Sequence, residues 1–181
     1  MGKTPQGVTK LRPQTEPLRA TVICDTREQR GWTFAPSDWC AGTRVAGLPT
    51  GDYALEGCGL EGRILIERKR DTKEVAQNVL EPRFKDVLSR LSCSTDYAFV
   101  VCEFPYSRFH VFPNDSGIPR ARQKGVRLSP HTLLMKVEEL MLDYPRVRWQ
   151  FCDSDAYARD FARGIFKRLV ERRRSELKAT L

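Results

Sequence analysis

The order of apolar and polar residues predicts an α/β domain in which most strands precede most helices. Short apolar or alternating runs predict six strands, at 20–25, 44–48, 52–55, 63–69, 97–103 and 147–152. From Asp71 onward, apolar residues recur every three to four positions. This period predicts helices on either side of Pro82, another over 131–143, and a last one capped within 153–155. The pattern indicates a three-layer domain with a central mixed sheet flanked by helices.

The segments between these elements are less regular. Residues 1–19 contain Pro and Gly without hydrophobic period, so we predict a flexible N-terminal arm followed by one domain over 20–181. Residues 31–42 predict a loop or a short helix, and residues 113–130 a polar, basic loop. There is no internal repeat, and no second domain is predicted.

Composition narrows the class of partner. The 181 residues carry a formal net charge of +8, and 40% of them are hydrophobic, as in a soluble globular protein. No apolar stretch approaches the length of a membrane helix, and the N-terminus has no apolar core for a secretory signal. The six cysteines show no zinc-ligand spacing, which favours reduced thiols in a cytosol-like compartment. The positive excess suggests a polyanionic partner.

Three acidic residues fall at predicted strand ends, namely Asp25, Asp52 and Glu67. Glu67 and Lys69 are two positions apart, so on a strand their side chains point to the same face. Carboxylates beside an ammonium group suit Mg²⁺ or Mn²⁺, which prefer oxygen ligands. Glu67 and Lys69 alone would fit a surface ion pair equally well. The candidate site therefore depends on the combination of the three motifs.

These motifs resemble the nuclease domain of the XPF/Hef-type structure-specific DNA endonucleases. The matching residues are Asp25-Thr26-Arg27-Glu28, Gly51-Asp52-Tyr53 and Glu67-Arg68-Lys69, in this order. The resemblance extends over about residues 20–170. It implies a restriction-endonuclease-like core that hydrolyses DNA phosphodiester bonds with a divalent metal and leaves 5′-phosphate and 3′-hydroxyl ends.

The resemblance also implies roles for the matching side chains. Asp52 and Glu67, with Asp25 nearby, would hold one or two Mg²⁺ or Mn²⁺ ions, which activate water and polarise the phosphate. Lys69 would orient that water and neutralise charge on the phosphorane.

For the two arginines and the glutamate of the motifs, the resemblance is consistent with more than one role. Arg27 and Arg68 would either contact phosphate or fix the carboxylates. Glu28 would be a base, a second-metal ligand or the partner of Arg68.

One position departs from the family pattern, because Lys73 stands where the last Asp of the run is expected. Either Asp71 or Glu74 could replace it from a neighbouring turn, or the position could be dispensable. The chain also shows no tandem helix-hairpin-helix or helicase part, so recognition of DNA junctions would come from elsewhere or be looser.

Basic residues outside the motifs are candidates for DNA contact. Arg83 resembles a family position on the DNA side, although a solvated helix charge fits it equally well. The segment 120–127 carries four cations and no acid, which favours phosphate binding over a merely solvated loop. The cations are Arg120, Arg122, Lys124 and Arg127.

The leading hypothesis is a Mg²⁺-dependent endonuclease that acts on branched, flap or fork DNA in repair or recombination. The alternatives are a catalytically silent DNA-binding or partner subunit, and a nucleic-acid-holding component of a larger assembly. The last helix carries apolar residues on several sides, which suggests a homodimer or heterodimer through the C-terminal helices; burial in the monomer explains these residues equally well. These residues are Phe161, Ile165, Phe166 and Leu169. We expect a cytoplasmic protein, nucleoid-associated in a prokaryote or nuclear in a eukaryote.

Overall fold

The computed structural model describes residues 18–180, so the predicted N-terminal arm over 1–19 lies outside the described residues except for its last two positions. The strands are β1 (Ala20–Cys24), β2 (Cys40–Val45), β3 (Tyr53–Glu56), β4 (Ile64–Lys69), β5 (Tyr97–Cys102) and β6 (Val147–Phe151). The helices are α1 (Thr72–Asn78), α2 (Pro82–Ser94), α3 (Arg120–Gln123), α4 (Pro130–Asp143) and α5 (Asp155–Ala179), with a 3₁₀ helix at Tyr106–Val111.

The six strands form one mixed sheet in the order β2-β1-β3-β4-β5-β6. Strand β1 is parallel to β2 and antiparallel to β3, and β3 is antiparallel to β4. Strands β4, β5 and β6 run parallel, with helices as their connections. The predicted α/β class with a central mixed sheet is confirmed.

The two short strands predicted around the turn at 49–51 are arranged differently from the prediction. The first strand is β2, which lies at 40–45 instead of 44–48 and, among residues 18–180, pairs with β1 alone. Most of its side chains are partly or fully exposed, as on a sheet edge, so its apolar pattern is weak. Strand β3 lies on the other side of β1, and residues 46–52 cross between them.

The alternation of side chains along β4 divides the core between the two faces of the sheet. Ile64 and Ile66 pack in a cluster with α5, whereas Leu65 packs in a cluster with α1, α2 and α4. Burial of each large aliphatic side chain contributes about 1.5–3 kcal/mol. The sheet is therefore the middle layer of three, and consecutive residues of β4 reach opposite layers.

Helix α5 packs against one face of the sheet through its buried residues between Ala158 and Val170. Its cap is Ser154, whose hydroxyl accepts a hydrogen bond from the backbone N–H of Tyr157. Phe166 is buried, and three further apolar residues pack partly buried against the same cluster, namely Phe161, Ile165 and Leu169. The apolar residues of α5 thus pack within the monomer, and pairing of two chains stays a prediction.

Two helical segments are absent from the predictions. The 3₁₀ helix Tyr106–Val111 follows β5, and α3 forms inside the segment predicted as the loop 113–130. Both are short, so they show too few turns for a hydrophobic period. Among residues 18–180, no helix is both long and apolar enough to cross a membrane.

Candidate active site

The run Glu67-Arg68-Lys69 at the end of β4 is split between the two faces of the sheet. Lys69 Nζ lies 2.7 Å from Glu67 Oε1 and 4.9 Å from the ring centroid of Phe84 in α2. The guanidinium carbon of Arg68 lies instead 5.1 Å from the ring centroid of Trp32. Glu67 and Lys69 therefore share a face, as the spacing predicts, and Arg68 points to the opposite face.

Backbone hydrogen bonds hold Asp52 beside β4. Its N–H donates to the carbonyl of Ile66 at 2.7 Å, and its Oδ2 accepts from the Arg68 N–H at 2.7 Å. Gly51 before it has φ +76°, and a Cβ there would lie 3.2 Å from the Ile66 carbonyl oxygen. Because a side chain would be strained and crowded at this position, glycine allows the turn that brings Asp52 to the strand.

Asp52 and Glu67 line a common cavity of about 190 Å³ at this end of the sheet. Three arginines line the same cavity, namely Arg27, Arg83 and Arg90. Glu67 and Arg83 also line a neighbouring cavity of about 180 Å³. Lys69 and Glu74 belong to that second cavity. The site therefore places two carboxylates among arginines, with an ammonium group beside one of them.

The electrostatics of the carboxylate pair favour the binding of a cation. Burial, and then the negative charge of Glu67, raise the pKa of Asp52 to about 7. One oxygen of Asp52 accepts the Arg68 N–H, and no hydrogen-bond donor in the described part of the chain contacts the other. A positive ion at this point would relieve the cost of the two neighbouring charges.

Lys69 is buried, with 4% of its side chain exposed. Burial alone would lower its pKa, but the carboxylates of Glu67 and Glu74 raise it above the ordinary value of lysine. Its Nζ lies 2.7 Å from Glu67 and 3.4 Å from Glu74. Lys69 therefore stays an ammonium group at neutral pH.

The donor set at the cavity fits Mg²⁺ or Mn²⁺ as a two-carboxylate site. Among residues 18–180, no three His, Cys, Asp or Glu side chains are grouped to hold a metal ion. Mg²⁺ is commonly bound by one or two carboxylates, with waters and substrate phosphate completing its shell. Asp52 and Glu67 would be those carboxylates.

Asp25 lies outside that cavity and supports the adjoining loop. One carboxylate oxygen accepts the N–H and the Nε of Arg27, at 2.9 and 2.6 Å. The other accepts the Arg27 Nη2 at 3.2 Å and the backbone N–H of Leu48 at 2.6 Å. Although burial opposes the effect, these hydrogen bonds lower the pKa of Asp25. Asp25 thus orients Arg27, which itself reaches the cavity.

Arg68 lies buried on the α5 side, among three carboxylates. Its guanidinium is 2.5 Å from Glu103 and 3.4 Å from both Glu28 and Asp155. The indole N–H of Trp32 donates to Glu103 and Asp155 as well. We call Arg68, Glu28, Glu103 and Asp155 the Arg68 cluster. This position favours two of the predicted alternatives, the fixing of carboxylates by Arg68 and the pairing of Glu28 with it.

Asp71 and Glu74, the two acidic residues that could replace the aspartate expected at position 73, make different contacts. Asp71 caps α1, since its Oδ1 accepts the Glu74 N–H at 2.8 Å. Glu74 instead points back toward Lys69. Of the two, Glu74 is the one that lies at the candidate site, where it lines the cavity with Glu67.

The predicted DNA-contacting residues form two groups. Arg83 lines the cavity of Asp52 and Glu67, together with Arg90, which sequence reasoning missed. Arg90 follows Arg83 by seven residues, two helical turns, so the helix period was the available signal. The remaining candidates lie in and after α3, away from that cavity, and are Arg120, Arg122, Lys124 and Arg127.

No protein-family model matches the sequence, and no curated protein matches it significantly. Solved structures do share its architecture. XPF from Aeropyrum pernix superposes with a TM-score of 0.54 at 22% identity, over 88% of this chain and 69% of that chain. XPF from Aeropyrum pernix in complex with DNA gives a TM-score of 0.54 at 23% identity, over 85% and 66% of the two chains. The chain therefore shares the fold of these XPF structures. It spans about two thirds of the length of these XPF chains.

The raised pKa of Asp52 predicts that this carboxyl destabilises the folded protein when it ionises. The raised pKa means that the folded protein keeps a proton on Asp52 up to about pH 7, whereas the unfolded chain releases it near the ordinary aspartate pKa of 3.8. Stability therefore falls as pH rises through this range, and the loss is complete above about 7. Asparagine cannot ionise, so Asp52→Asn is expected to be more stable than the wild type at pH 8.

Urea unfolding in EDTA between pH 4 and pH 8 measures this effect. The difference in unfolding free energy between Asp52→Asn and wild type is expected to grow with pH and then level off. A difference that does not change with pH would show that Asp52 ionises alike in the folded and unfolded chains.

Proposed function

We propose that the chain is a metal-dependent DNA endonuclease that hydrolyses phosphodiester bonds at branched, flap or fork DNA. Its products would carry 5′-phosphate and 3′-hydroxyl ends. The observation that carries the proposal is the carboxylate pair of Asp52 and Glu67 in one cavity with Arg27, Arg83 and Arg90. Carboxylates that hold a cation and arginines that bind phosphate are both needed to cut a polyanion.

Each side chain of the site has a separate task. Asp52 and Glu67 would hold Mg²⁺ or Mn²⁺, which when bound polarises the scissile phosphate and lowers the pKa of a water. Lys69 keeps Glu67 in place through its 2.7 Å contact and supplies positive charge near the developing negative charge. Because Lys69 stays protonated, it acts as a cation and not as a base.

The arginines bind the substrate. Arg83 and Arg90 lie on one side of α2, about 10.5 Å apart along the helix axis by the standard rise of 1.5 Å per residue. No acidic residue in residues 18–180 forms an ion pair with either of them. Both are therefore free to contact phosphates beside the cut, which would give affinity without sequence preference.

DNA as substrate has support from two independent directions. The chain has a net charge of +8, which suits a polyanion. One of the XPF structures with the same fold was solved in complex with DNA. Neither observation distinguishes branched DNA from other DNA, so the branched substrate is itself part of what we propose.

The test uses a fork with end-labelled strands and a blunt duplex of the same length. Wild-type protein with Mg²⁺ is expected to cut the fork, EDTA to stop the cutting, and Mn²⁺ to restore it. Product ends should be extended by a polymerase and joined by a ligase, which require 3′-hydroxyl and 5′-phosphate groups. Tight binding of the fork without any cutting in Mg²⁺ or Mn²⁺ would instead identify a silent DNA-binding subunit.

A further inference from the structure

We propose that a groove beside α1 binds unpaired bases of the single-stranded arm of the substrate. The inference rests on the proposed function, because it names the part of the DNA that lies next to the cut. The groove has a volume of about 300 Å³. Its apolar lining, which defines the α1 groove, is Ala76, Leu80, Phe112, Ile118, Val126 and Leu128.

The α1 groove adjoins the candidate active site through the end of α1. Gln77 and Leu80 line the groove, whereas Asn78 and Glu81 line the cavity that contains Glu67. Neighbouring residues of one short segment thus face the two sites. A DNA strand that leaves the carboxylate pair along this segment would enter the groove.

The lining of the groove suits bases better than duplex DNA. Leu80 lines the groove and is 63% exposed, so its apolar side chain is accessible to a ligand there. A duplex keeps the faces of its bases stacked inside, so that only an unpaired strand presents them to an apolar surface. An apolar groove would therefore contribute to binding of the arm and not of the duplex.

Cations surround this apolar lining. Lys73 and Arg127 line the groove itself, and Arg120, Arg122 and Lys124 lie in the adjoining segment. Within residues 18–180, none of the five has an acidic partner within ion-pair distance. Apolar walls with unpaired cations at the edge match the two parts of a nucleotide, the base and the phosphate. An acidic peptide could also bind these cations. The position of the groove next to the carboxylate pair, however, is explained by DNA that is cut there and not by a peptide.

Fluorescence anisotropy in EDTA tests the inference without cleavage. The variant is Leu80→Gln, and its matched control is Leu142→Gln, since Leu142 is 80% exposed on α4 outside the groove. The probes are a fork with a single-stranded arm, the same fork with abasic sites in that arm, and a blunt duplex. Leu80→Gln is expected to weaken binding of the fork about tenfold and to leave the duplex affinity unchanged. Leu142→Gln should bind all three probes as the wild type does.

The abasic fork separates contacts to bases from contacts to phosphates. It should bind the wild type about tenfold more weakly than the normal fork, and Leu80→Gln should cause no further loss on it. Equal losses on fork and duplex, or an abasic arm that binds as well as a normal one, would overturn the inference. An unchanged fork affinity in Leu80→Gln would overturn it too and leave the groove to another partner, such as an acidic peptide. Failure of the nuclease proposal shows separately, as absence of cutting in Mg²⁺.

Discussion

Replacing Glu67 by glutamine, or Asp52 by asparagine, is expected to reduce the rate of DNA cleavage by more than about 100-fold. Loss of groups that merely orient metal ligands already costs 10- to 100-fold in activity, so loss of a direct ligand should cost more. Each substitution keeps the size of the side chain and removes one negative charge from the cavity. Single-turnover cleavage of a labelled fork in Mg²⁺ measures the rate.

The matched control is Glu139→Gln, since Glu139 lies exposed on α4 and pairs with Lys136. This variant should cut at the wild-type rate. Affinity for the fork in EDTA should be retained in all three variants, which would separate a catalytic defect from a binding defect. If Glu67→Gln and Asp52→Asn cut as fast as Glu139→Gln, the carboxylate pair does not carry the reaction and the proposed function is wrong.

The sequence predicts the central part of the site because β-strand alternation is a local rule. Two residues of separation place Glu67 and Lys69 on one face, and the structure shows their 2.7 Å contact. The Gly51-Asp52 turn is likewise local, since a residue with φ +76° beside a carbonyl favours glycine. The strands and helices with clear periods, such as β4 and α5, were predicted for the same reason.

Features that depend on contacts between distant segments could not be predicted. Strand β2 lies at an edge, with a weak apolar pattern and with β1 between it and β3. Asp25 follows a buried strand just as Asp52 precedes one, yet its oxygens are taken by Arg27 and by Leu48 from the next loop. Only the pairing of the strands decides which carboxylate reaches the cavity.

The Arg68 cluster is the clearest case of a long-range arrangement. Glu103 directly follows the apolar strand β5, and a carboxylate in this position indicates a buried charge that needs a cationic partner. The residues near Glu103 in the sequence do not indicate that this partner is Arg68. Asp155 belongs to the first turn of α5 and reaches Arg68 across 87 positions. The cluster links the end of β4 to α5 on the face of the sheet opposite to Glu67.

Replacing Arg68 by methionine is expected to lower the free energy of unfolding by about 3–5 kcal/mol. The reason is that Glu28 and Glu103 have only 11% and 9% of their side chains exposed, and would lose their cation without gaining water. Burial raises the pKa of Glu103 even with Arg68 present, although Arg68 opposes this effect, so the carboxyl is costly to ionise. Urea unfolding at pH 7 measures the loss.

The matched control is Arg63→Met, because Arg63 pairs with Asp96 at 2.7 Å on the surface, with 39% of its side chain exposed. A surface pair of this kind contributes about 0–1 kcal/mol. Arg68→Met combined with Glu103→Gln should recover part of the loss, because the second substitution removes a charge that the first leaves unpaired. If Arg68→Met destabilises no more than Arg63→Met, the buried position of the Arg68 cluster adds nothing to stability. The orientation of β4 at the carboxylate pair would then depend on its pairing with β3 and β5 and on the hydrogen bond from the Arg68 N–H to Asp52 Oδ2.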